Sequence, residues 1–145
     1  MTNPNLVQSL RNWADGFAAD RAAVELLIAH ESWLARRDFL DRCVDIVPSE
    51  ELSDPTRPVA IIDWEETVRA LADALPASSS EVAVLRIAAS LGTGEPVDLR
   101  DTLVGLDATN TAAVATAMVT AAQASDRVTV TLAPRQLPDW LIDQS

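Results

Sequence analysis

The sequence predicts a mainly α fold: a single-domain helical bundle of six to seven helices around a buried central helix at about 79–91, with a minor two-stranded ribbon pairing 59–62 with 128–132. Three observations carry this expectation. The stretch Leu75–Gly92 has helix-closing residues at both ends and is apolar on nearly every side, as a helix in the middle of a bundle must be. Further segments place large apolar residues at spacings of three and four, the pattern of helices with one buried face. Only two short runs, Val59–Ile62 and Arg127–Leu132, are rich in β-branched residues, and the second alternates with period two.

Taken in order, residues 1–47 form an N-terminal helical unit. Asn3 is placed to cap a first helix from Pro4 to about Asp15, with proline at N1 where its missing amide costs nothing. Leu6, Leu10, Trp13 and Phe17 make one stripe, and Gly16 ends or bends the helix. A second helix runs from about Ala19 to Ala29 with Val24, Leu27 and Ile28 inward, and a third from Arg37 to Ile46 presents Phe39, Leu40, Cys43 and Val44. So small a unit must pack on the rest of the chain or on a partner. Residues 48–58, with three prolines and mostly polar neighbours, read as an acidic linker.

Residues 59–124 form the central bundle. Asp63, with Glu66 three residues on, caps a helix to about Leu75 whose stripe is Trp64, Val68, Leu71 and Leu75. Ser78 and Glu81 make the S-x-x-E capping box of the central helix, and Gly92 stands where a left-handed C′ residue belongs. Arg86, Ser90 and Ala83 form its wet flank. Asp98 caps a short helix with Leu99, Leu103 and Leu106 on one side, and Asp107 or Thr109 starts a longer one to about Gln123. Residues 125–145 hold the strand-like run and an apolar tail containing Trp140, Leu141 and Ile142.

At 145 residues the chain has the size of one ordinary domain, burying ~70% of its unfolded surface. No apolar run approaches the ~18 residues of a membrane span, and the first residues carry neither the basic nor the apolar part of a secretory signal. The single cysteine cannot form an internal disulfide, so a cytoplasmic protein is expected. The formal charge is −11, every base is arginine, and acids are spread along the chain. Such a chain repels phosphate backbones, which argues against direct nucleic-acid or anionic-membrane binding and leaves basic partners open.

No catalytic or cofactor constellation emerges. His30-Glu31 lacks the second histidine of a zinc-protease helix, and one His with one Cys cannot build a tetrahedral zinc site in a monomer. Glu50, Glu51, Ser53 and Asp54 lack the glycine and spacing of a calcium loop, so a solvated acidic loop outweighs a metal site. Cys43 falls on an apolar face, where a thiol is a small buried hydrophobe, and His30 suits a helix end, so a Cys–His dyad is disfavoured. Gly92-Thr93-Gly94 has no preceding strand or third glycine, and no lysine exists to meet a phosphate. The helix pairs lack the basic footprint of a DNA reader.

The motifs L-P-x-S-x-x-E-x-x-x-L-R-x-A-A-S-L at Leu75–Leu91, G-x-P-V-x-L at Gly94–Leu99 and G-L-D-x-x-N at Gly105–Asn110, with A-V-E-L-L-I-A-H at Ala23–His30 and I-D-W at Ile62–Trp64, resemble those of small acidic helical proteins of actinobacteria. The resemblance covers most of residues 20–122, implies a shared fold and supplies no functional residue; the tail after Ala124 lies outside it.

The expectation for function is a non-enzymatic protein acting through a protein partner or through itself, without cofactor or metal. Two groups are candidate contacts: Trp13, Phe17 and Trp33 in the N-terminal unit, and Trp140, Leu141 and Ile142 in the tail. The competing structural readings are that the tryptophans fill the core and that the tail docks across it. Two rivals from other classes are a small carboxylate enzyme using Glu31, Asp63 or Asp107 in a cleft, and an acidic mimic of nucleic acid binding a basic partner.

Overall fold

The computed structural model describes residues 2–142, the side chain of Ile142 excepted. Asn3 caps α1 (Pro4–Ala14), its side chain accepting from the Asn5 amide at 2.9 Å. Gly16, at φ +89°, turns the chain into α2 (Ala18–His30). A one-turn 3₁₀ segment at Trp33–Ala35 leads to α3 (Arg37–Cys43), which gives way directly to β1 (Val44–Ile46).

That junction corrects the expected helix to Ile46. Val44, Ile46 and Val47 are β-branched and lose rotamer freedom in a helix, whereas here they gain a partner strand. The partner is β2 (Ala60–Ile62), antiparallel in the register Val44↔Ile62, Asp45↔Ile61, Ile46↔Ala60. The two-stranded ribbon therefore exists, but the mate of 59–62 is 44–46 and not 128–132. β1 reaches β2 through the connection 47–59, and α1 packs against β2 with Ala60 and Ile62 buried. Residues 128–138 form no regular element. The proline-rich segment 48–58 is the connection of this hairpin, fastened to α1 by Asn12 Nδ2 donating to the Pro58 carbonyl (2.8 Å) and by an Arg57–Asp15 pair (2.9 Å).

Asp63 caps α4 (Trp64–Ala72), its carboxylate accepting from the Glu66 amide at 3.0 Å. The capping box of α5 (Ser79–Thr93) closes as expected: the Glu81 amide donates to Ser78 Oγ (3.2 Å) and the Ser78 amide to Glu81 Oε1 (3.0 Å). The other end differs. α5 runs past Gly92 and is capped by Gly94 at φ +80°. Gly92 instead lies under the Trp64 indole, where an added Cβ would sit 2.5 Å from three ring atoms. Ala83, expected on the wet flank, is buried; Arg86 is exposed and Ser90 half-buried. Asp98 and Asp107 cap α6 (Leu99–Val104) and α7 (Ala108–Ala121), and a single turn, α8 (Asp139–Ile142), ends the described chain. That turn takes the helices among the described residues to eight, one beyond the expected range.

Packing puts two helices at the centre. α5 has Val84, Leu85 and Ala88 without exposed surface, and it contacts α2, α4, α6 and α7. α2 is equally enclosed: it packs most extensively against α7 and α5, and also against α1, with Ala22, Ala23 and Leu27 fully buried. Small residues at Ala22, Ala23, Ala88 and Ala117 let these helices approach closely. One continuous apolar cluster runs from Leu6 to Ala117, so the N-terminal helices do pack on the rest of the chain. α3 is fastened to α4 by Arg42, which donates to Glu66 Oε1 (2.7 Å) and Asp73 Oδ2 (2.6 Å).

Candidate functional site

The two expected contact groups meet different fates. Trp33 is 0% exposed. Its ring lies 5.5 Å from that of Phe39, its N–H donates to the Glu81 carbonyl (2.8 Å), and the Arg36 guanidinium covers its face at 4.4 Å. Trp33 is thus a core residue with its polar atom satisfied. Trp13 is half-buried against the core. Phe17 is 63% exposed at the α1–α2 corner. Its neighbours Gly16 and Ala18 border a cleft with Gln123, Ser125 and Asp126, so this corner adjoins the point where the tail leaves α7.

The tail does not dock across the core. Trp140 is 64% and Leu141 38% exposed, and Val128, Leu132 and Leu137 are exposed as well. The side chain of Ile142 lies outside the described residues. Val130 and Leu132 border a groove between α2 and α7, with Leu26, Ala29, Ala113 and Ala117 as its other apolar walls. Val130 alone of the period-two residues gains partial cover there.

A second feature was not visible in the sequence: a cleft of about 800 Å³ between the hairpin, α4 and the end of α5. It falls within the ~300–1,000 Å³ range of small-molecule pockets. Asp45 enters from β1, Asp63 and Glu65 from the start of α4, and Glu95 from beyond α5, while Ile61, Trp64 and Val68 supply apolar wall. Arg69 also lines it but is already held by Glu66 (2.9 Å) and, more distantly, Glu65 (3.9 Å). Arg42 and Arg69 together hold the Glu66 carboxyl below the usual carboxylate range. Asp45 and Glu95 have no ion-pair partner among the described residues. Trp64, 7% exposed, has an indole N–H without an acceptor. No local signal in the sequence announces this cleft: Asp63 reads as a helix cap, and only the hairpin brings Asp45 to the other acids.

The carboxylates considered for catalysis do not converge. Asp63 lines the cleft but spends one oxygen on the α4 cap; Asp107 accepts from the Asn110 amide (2.8 Å) at the start of α7; and Glu31 sits beyond the C-terminus of α2. Cys43 is fully buried, which pushes its thiol up, and it shares no hydrogen bond with His30. His30 Nδ1 instead donates to Asn110 Oδ1 (2.8 Å), and Asn110 Nδ2 donates to Ser80 Oγ (2.8 Å), a polar bridge joining α2, α7 and α5. Glu81 is the second such hub: beyond its own cap it accepts from Ser32 Oγ (2.5 Å) and faces Arg36 (3.6 Å). Hydrogen bonds from Ser32 and the Ser78 amide lower its carboxyl to about 2. Among the described residues no group of three or more His, Cys, Asp or Glu is placed to hold a metal ion, and no helix is long and apolar enough to cross a membrane. In comparisons with known proteins, no family, no curated protein and no solved structure matches this chain.

Proposed function

We propose that the protein is a cytoplasmic, non-enzymatic interaction module that joins a protein partner, or a second copy of itself, through its C-terminal tail. The observation that carries this reading is the apolar surface the tail leaves in water: Val128, Leu132, Leu137, Trp140 and Leu141 are all exposed within one short stretch. Several large apolar side chains left in water within one segment make it a candidate contact site. A polar tail of the same length would stay solvated without such a cost. The buried thiol of Cys43 suits a reducing compartment and supports the cytoplasmic assignment.

The test uses the full chain and the variants Leu132→Asp and Trp140→Asp, both at exposed positions. Light scattering after gel filtration and recovery of stoichiometric partners from the native cell are the readouts. The wild type is expected to self-associate or retain a partner, and both variants to lose that association while melting at the wild-type temperature. A chain that is monomeric and partnerless with or without these substitutions would overturn the reading.

A further inference from the structure

We infer that the occupant of the acidic cleft is the tail of a second copy of this chain: Arg135, in the segment Pro134–Pro138, enters the cleft between α4, the hairpin and the end of α5, and Leu137 packs on its apolar wall. This rests on the interaction reading above and names its partner and its seat. The first argument is charge. Residues 127–138 carry Arg127 and Arg135 and no acid, in a chain whose formal charge is −11. Neither arginine has an ion-pair partner among the described residues. The cleft presents the converse, with Asp45 and Glu95 unpaired and Asp63 and Glu65 beside them. A guanidinium that meets carboxylates at such a site gains direct hydrogen bonds and steers the encounter.

The second argument is shape and preorganisation. Pro134 and Pro138 fix their own φ, bias Ala133 and Leu137 towards extended backbone and lack amides that would need partners, which reduces the entropy lost when this segment docks. Leu137 is exposed, and Ile61 and Val68 are only half-buried where they line the cleft. The Trp64 indole in the same wall adds a broad apolar surface and carries an N–H without an acceptor among the described residues.

The third argument is placement, which makes the contact one between copies. The tail borders the α2–α7 groove at Val130 and Leu132, whereas the cleft lies on the α4 side of α5. Among the described residues, none of the tail lines the cleft of its own copy, while Val130 and Leu132 are seated on the groove. Two copies exchanging tails make the contact twice and close a two-fold dimer.

The test is a charge swap in the full chain, followed by sedimentation velocity over a concentration series. One variant is Arg135→Glu in the tail; the other combines Asp45→Arg with Glu95→Arg in the cleft. All three positions are exposed, and melting curves check that each variant folds. The wild type is expected to dimerise, each variant alone to dimerise at least about tenfold more weakly, and an equimolar mixture of the two to recover the wild-type dimer, since both tail–cleft contacts are again complementary. Added salt should weaken the wild-type dimer. A wild type that stays monomeric throughout overturns the inference. A dimer lost in Trp140→Asp but untouched by either charge variant overturns the cleft while the tail reading stands. A dimer indifferent to all of these variants overturns both.

Discussion

Two segments of this chain carry the same β-like signature and end in opposite circumstances. Ala60–Ile62 becomes a strand with a buried face, an antiparallel mate and a helix packed against it. Val128–Leu132 alternates more regularly, yet it has no strand partner among the described residues and shows most of its apolar side chains to solvent. The difference is not in propensity, which favours the second. It lies in what surrounds each segment: β2 follows a hairpin connection that returns it to β1, and α1 covers it, whereas 128–132 leaves α7 on a side where no edge is offered. A β pattern states what a segment can pair with; the fold decides whether a mate is within reach.

The largest effects should separate these two regions. Ile62→Ala removes a buried side chain beside the hairpin and is expected to cost about 2–4 kcal/mol, and Leu85→Ala in the centre of α5 about 2–5 kcal/mol. Leu132→Ala, in the tail, should stay within about 0.5 kcal/mol in a monomeric state. Urea unfolding at concentrations too low for association measures all three. If Leu132→Ala costs as much as Ile62→Ala, the tail is packed and the contrast is lost. A change near zero for Leu85→Ala would remove α5 from the centre.

A smaller effect tests the seam where the strand meets the bundle. Gly92→Ala raises helix propensity by up to about 1 kcal/mol, but its methyl lands on the Trp64 indole, which is almost fully buried. The indole must shift, and a net loss of about 1–3 kcal/mol is expected, with a blue- or red-shift of tryptophan emission reporting the movement. The same substitution at Gly94 should destabilise for another reason, because its left-handed backbone disfavours a side chain and nothing crowds the space around it. A wild-type emission spectrum in Gly92→Ala would show that Trp64 is not seated there.

These positions also show where sequence reading stops. The helix starts were legible because each is a local event: Asn3, Asp63, Ser78 with Glu81, and Asp98 cap the expected helices, and of the two candidates Asp107 and Thr109 it is Asp107 that caps α7. The end of α5 was not: Gly92, the expected left-handed residue, stays helical against Trp64, and Gly94 takes the left-handed backbone instead. The centrality of α2 was hidden for a similar reason: its alanines look like filler in sequence and become the faces against which α5 and α7 close. The bridge from His30 through Asn110 to Ser80 joins residues far apart in the chain, and no local spacing announces it. The acidic cleft was invisible on the same grounds, since Asp45, Asp63 and Glu95 come to it from separate elements.

The finest distinction between the core and the tail is one of acid response. Glu81 is a cap, a partner of Ser32 and a neighbour of Arg36, all inside the packed region, and its carboxyl lies at about 2 instead of the ordinary 4.5. The folded protein therefore holds this proton less tightly than the unfolded chain does. The stabilisation is complete above about pH 4.5 and is lost as pH falls towards 2. Part of the side chain is solvated, so screening reduces the linkage value and about 1–2 kcal/mol is expected across that window. Glu81→Gln should lower stability at neutral pH by roughly that amount and flatten the acid limb between those two values, leaving the contribution of other carboxylates such as Glu66 and Asp38. Wild type and Glu81→Gln losing stability in parallel below pH 4.5 would mean that the hub at Ser32, Arg36 and Glu81 does not hold the corner between α2 and α5, and the contrast between an electrostatically fastened core and an unfastened tail would rest on apolar packing alone.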